Sequence, residues 1–123
     1  MKISAYHKRL GRDVSLLLSW DDIESYDRVF VSKVFSETPV PDGITDLPHV
    51  ECGGTGFFFF IAPPLPAAIE HIMPDYHLYE DFVTGLLEIG VNRTSLKYFL
   101  DFSIGYTTRG CIRGCSFCVN EDY

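Results

Sequence analysis

The sequence predicts an α/β fold built on a small parallel sheet, and three observations carry that expectation. Two short apolar runs rich in β-branched and aromatic residues, "VSLLL" (14–18) and "YDRVFVSKVF" (26–35), have the length and composition of strands buried on both faces. A third run, "HVECGGTG" (49–56), reads as a short strand entering a glycine-rich turn. Segments with apolar residues at helical spacing stand before and after these runs. Alternation of strand and helix in this manner points to a Rossmann or flavodoxin-like sheet.

Taken in order, "ISAYHKRLG" places Ile3, Tyr6 and Leu10 at helical offsets, with Gly11 where a helix C-cap falls. No N-capping residue precedes this helix, so an upstream element is expected to be missing. The run 14–18 follows as a buried strand. In the run 26–35, Val29, Val31 and Phe35 are the β-formers. A turn-rich connection, "SETPVPDGITDLP" (36–48), then occupies the place where a crossover helix usually lies. After the strand and turn of 49–56, "PAAIEHIM" is a short helical piece ending before Pro74. A tyrosine-rich connector leads to a longer helix through Phe82, Leu86 and Ile89. Beyond "TSLKYFLDF", the segment "SIGYTT" (103–108) reads as a new strand. A domain boundary is expected within 95–102, giving an N-terminal domain over 1–94 and a second region over 95–123. There is no internal repeat or low-complexity segment.

Composition narrows the function classes. With 46% hydrophobic residues in 123, the chain is the size of one domain and buries about two-thirds of its unfolded surface. A formal charge of −7 sets a repulsive field against phosphate backbones and anionic membranes, which argues against a broad nucleic-acid surface. The opening residues mix apolar and basic side chains without a secretory pattern, so a cytoplasmic location is expected. In the most apolar run, six residues (57–62) precede Pro63, far short of the roughly 20 that span a bilayer, and no membrane partner is expected.

The chemistry concentrates in "CIRGCSFC", where Cys111, Cys115 and Cys118 lie at CxxxCxxC spacing. In a reducing compartment such a group points to metal, redox chemistry or catalysis more than to disulfides. Gly110 and Gly114 give the backbone freedom to curl three thiolates onto one inorganic centre. A four-iron cubane held by three thiolates keeps one iron open to another ligand. Arg109 and Arg113 stand where they would offset the negative charge of such a centre. Two other readings use the same residues: a zinc site, which ordinarily takes four nitrogen or sulfur ligands, and a CxxC dithiol at Cys115 and Cys118.

The stretch "IGYTTRGCIRGCSFC" resembles the cluster motif of radical S-adenosylmethionine enzymes: a strand, an Arg-Gly lead-in, CxxxCxxC, and an aromatic residue before the last cysteine. The resemblance implies that Cys111, Cys115 and Cys118 hold a [4Fe-4S] cluster and that S-adenosylmethionine chelates the open iron, with Phe117 beside the adenine. An electron from the cluster then cleaves the sulfonium, giving a 5′-deoxyadenosyl radical that abstracts hydrogen from a substrate. Upstream, "MKISAYHKRLG", "YDRVFVSKVF", "GGTG" and "PDYHLY" are similar, in this order, to a group in which a cobalamin-binding-like Rossmann domain precedes the radical barrel. The resemblance implies that the missing upstream element is the first strand of that domain. The implied fold is that domain followed by the first strand and cluster loop of a truncated (β/α) barrel, with the cluster at the C-terminal end of a strand. On this reading the chain is the N-terminal portion of such an enzyme and is an incomplete catalyst by itself. No catalytic residue and no substrate are assigned.

The remaining chemistry-bearing residues have structural readings. Cys52 is expected in the core and not as a fourth ligand. The glycines of 53–56 read first as a tight turn and only second as a place where a nucleotide approaches. His7 lacks the surroundings of the Asp-x-His-x-x-Gly cobalamin motif, since Ala5 stands two residues before it and Gly11 four after, and cobalamin is not expected. His49, His71 and His77 carry no assigned chemistry. The four phenylalanines of 57–60 read as core or interdomain packing, and the sequon at Asn92 is set aside. Apolar surface around 57–61 and 99–104, without covering barrel strands, is expected to drive self-association. The alternative from another class is a non-catalytic Rossmann-like or regulatory module whose cysteine tail binds zinc or nothing.

Overall fold

A computed structural model of the chain describes residues 1–59, 62–102 and 116. The predicted strand over 103–108 lies outside the described residues. Over the described residues up to 102, the chain divides into two compact units, one formed by Met1–Leu16 with Leu65–Phe102, the other by Leu17–Pro64.

The first unit is helical. Helix α1 spans Lys2–Arg9, α2 Ala67–Glu70, α3 Glu80–Glu88 and α4 Lys97–Leu100, with a 3₁₀ turn at Arg93–Leu96 running into α4. Both longer helices end in the same way. Gly11 (φ +74°) donates to the Lys8 carbonyl and Arg12 to that of His7. Gly90 (φ +89°) donates to Leu87 and Val91 to Leu86. These are Schellman closures, in which a glycine takes the left-handed position at little steric cost. The expected cap at Gly11 is therefore present. Glu80 and Asp81 occupy the first turn of α3, and His7, Lys8 and Arg9 the last turn of α1, each with the sign that complements the helix dipole. The sequon residue Asn92 has a structural use: its side chain accepts from the Thr94 amide at 2.8 Å and opens the 3₁₀ turn.

Two expectations for this unit need correction. The apolar spacing of α1 marks Ile3, Tyr6 and Leu10, yet its buried residues are Ser4 and His7, and Leu10 is exposed. This face turns inward because Asp75 lies against it and satisfies the Ser4 hydroxyl. Ile89 does not belong to α3; it is the C-cap residue, 77% exposed, while Val83 is the helix's buried residue at 2%. Leu96 is the other buried apolar residue among the described residues of this unit.

The second unit holds two parallel strands, β1 at Val29–Ser32 and β2 at Val50–Gly53, in the register Val29↔Val50 to Ser32↔Gly53. The connection between them carries no α-helix, as its composition predicts, but one 3₁₀ turn at Ile44–Asp46 that buries Ile44. A second 3₁₀ turn, Trp20–Ser25, precedes β1 and is capped by Ser19. The ladder is shorter than the apolar runs suggest. Within 26–35 it stops at Ser32, where β2 enters its glycine turn, leaving Val34 and Phe35 exposed. Residues 14–18, expected as a strand, pair with nothing in a ladder among the described residues. A strand is stabilised by cross-strand neighbours, and β-propensity alone does not form one. The described sheet is thus a two-stranded parallel pair, and the described residues show no barrel.

Candidate functional site

In open α/β sheets ligands bind beyond the carboxyl ends of the strands, which makes the loops after Ser32 and Gly53 the first place to look. Here that position is filled by the chain's own backbone. The Lys33 amide donates to the Gly53 carbonyl at 3.0 Å, and the Gly56 amide donates back to the Lys33 carbonyl at 2.8 Å. The Thr55 hydroxyl donates to the Val34 carbonyl at 2.9 Å. Gly54 has φ +90°, and a Cβ there would overlap the Lys33 carbonyl oxygen. At Gly56 a Cβ would meet the Phe35 carbonyl oxygen at 2.7 Å. The glycines are required because two loops approach each other closely. The turn reading therefore accounts for 53–56. Lys33 reaches over the Phe57 ring, 4.8 Å from its centroid, and donates to the Ser36 carbonyl. Phe58 and Phe59 are exposed.

Cys52 sits one residue before the end of β2, opposite Val31, as a free and partly buried thiol. Burial pushes its pKa up, against the opposing pull of Lys33, so it stays a protonated thiol near neutral pH. At the other end of the strands, Arg28 pairs with Glu51, and His49 Nε2 donates to the Ile23 carbonyl at 3.3 Å.

The helical unit contains the most connected polar group of the described residues, and it centres on Asp75. The Asp75 carboxylate, with 8% of its side chain exposed, accepts from the Ser4 hydroxyl and from Lys8 Nζ at 2.8 Å, while its amide donates to the Met1 carbonyl at 3.2 Å. Burial alone would push this carboxyl up, but the hydrogen bonds from Lys8 and Ser4, joined by the His77 amide, hold it below the usual carboxylate value. Lys2 adds a second tie, donating to the Glu70 carboxylate at 3.0 Å. Asp75 follows Pro74 in a tyrosine-rich connector. The Pro-Asp pair is a turn signal, but which helix the carboxylate would meet is a long-range fact that no local pattern carries.

His7 and His77 are held by ordinary polar contacts. His7 is buried, accepts from Arg12 at Nδ1 over 2.9 Å, and lies edge-on to Tyr6. His77 pairs with Glu80 on the surface. His71 is exposed at the end of α2. The helical unit also bears a cleft of about 430 Å³ lined by Tyr76, Tyr79, Tyr98, Phe99, Phe102 and Asp101. Phe99 fixes its wall, 5.5 Å from Tyr79 and 5.7 Å from Phe82 between ring centroids.

Cys111, Cys115, Cys118 and Phe117 lie outside the described residues; within the motif only Ser116 is described, and it is exposed. Among the described residues no group of three or more His, Cys, Asp or Glu side chains is placed to hold a metal ion. No helix of the described residues is long and apolar enough to cross a membrane. No family model, no curated protein and no solved structure matches the chain.

Proposed function

We propose that the chain is the N-terminal portion of a radical S-adenosylmethionine enzyme. The observation that carries this reading is the CxxxCxxC spacing of Cys111, Cys115 and Cys118, with Phe117 before the last cysteine and an Arg-Gly lead-in. The donor set fits the group: three soft thiolates within eight residues suit an iron–sulfur centre, and three of the four ligands a cubane needs leave one iron for a small molecule. Cys111, Cys115 and Cys118 hold the [4Fe-4S] cluster, Phe117 offers a flat apolar surface to the adenine of S-adenosylmethionine, and Arg109 and Arg113 offset the charge of the centre. When bound and reduced, the cluster supplies the electron that cleaves the sulfonium of S-adenosylmethionine to a 5′-deoxyadenosyl radical.

Two features of the described residues bear on Cys52 and the glycine turn. Cys52 is a raised-pKa thiol on a strand with no other ligand grouped around it among the described residues. The glycine turn after β2 is occupied by the Lys33 loop, which removes it as a nucleotide cradle.

The test is anaerobic reconstitution with iron and sulfide, followed by metal analysis, visible absorption and electron paramagnetic resonance of the reduced protein. About four iron and four sulfide per chain, with a spectrum that changes on adding S-adenosylmethionine, is the expected result. Uptake of one zinc per chain and no iron would overturn the proposal in favour of a zinc-binding module.

A further inference from the structure

We draw no further inference here: the strongest candidate, the aromatic cleft of the helical unit between Tyr76, Tyr79, Tyr98, Phe99 and Phe102, is an unpartnered apolar face, and nothing in the structure shows what covers it.

Discussion

In the helical unit most of the long-range ties run through charged and hydroxyl side chains, whereas in the sheet unit most run from backbone to backbone. Ser4, Lys8 and Asp75 join α1 to the connector before α3, and Lys2 joins it to Glu70. Around β1 and β2 the corresponding work falls to the ladder and to the amides of Lys33 and Gly56, with glycines chosen for what they lack. The difference teaches where each unit is vulnerable. Side-chain ties titrate and can be removed one at a time. A backbone clasp is indifferent to pH and fails when a side chain is added at Gly54 or Gly56.

If the described residues of both units serve as scaffold and do not ligate the cofactor, the largest effect belongs to the cysteine run. On the proposed reading, replacing Cys111, Cys115 or Cys118 by Ala is expected to abolish stable cluster uptake on reconstitution, while Cys52→Ala is expected to leave iron and sulfide content unchanged. Equal iron loss in the Cys52 variant would bring a residue of β2 into the ligand set and break the comparison.

Next comes the clasp. Gly54→Ala sets a side chain at φ +90° against the Lys33 carbonyl and is expected to cost about 2–3 kcal/mol in urea unfolding. Gly53→Ala, with open space at its Cβ, changes stability by less than about 0.5 kcal/mol. Similar losses at the two positions would mean that close approach to the Lys33 carbonyl is not what requires Gly54.

For the helical unit, Asp75→Ala strands the buried Ser4 hydroxyl and is expected to cost about 1–3 kcal/mol, read by thermal unfolding monitored at the helix signal. The same carboxylate gives this unit its acid sensitivity. Its folded pKa lies below the ordinary value, so its contribution is present in full above that value and is lost as pH falls through the depressed folded one. Asp75→Asn should flatten the acid limb of the stability curve. A curve unchanged in shape would remove Asp75 as the tie.

A smaller effect concerns exposed apolar side chains of the sheet unit. Phe35, 70% exposed, and Phe59 lie beyond the ladder, and the double change to Ser is expected to shift sedimentation towards monomer without altering cluster uptake. The smallest is local to the start of α3. Glu80 hydrogen-bonds His77 and holds its pKa above the ordinary value, so this pair's contribution is complete below the unfolded value and fades as pH rises through the folded one. Glu80→Gln should lower the His77 titration midpoint in proton NMR.

Much of the scaffold was legible because the signals were local. The Gly11 cap, the helix through Phe82 and Leu86, and the hearts of both strands follow from spacing and residue type. What escaped depends on partners far along the chain. Residues 14–18 have strand composition but no ladder, since composition does not supply a neighbour. Ser4 and His7 are buried in place of Leu10 because Asp75, some seventy residues later, decides which face of α1 turns inward. The three cysteines were conspicuous for the opposite reason, being close in sequence and requiring no long-range knowledge to group.

The register of the two strands also bears on how quickly the sheet unit forms. Val29 meets Val50 and Ser32 meets Gly53, so every rung joins residues twenty-one positions apart, and no hairpin can nucleate the pair. Closing that loop costs entropy before the first rung returns anything, and the connection has only one 3₁₀ turn to shorten the search. Pro39, Pro41 and Pro48 narrow the conformations the linker samples, reducing the entropy lost on closure. The parallel pair is therefore the slow step for its own unit, and mutations that loosen 36–48 should show first as slower refolding, with unfolding rates little changed.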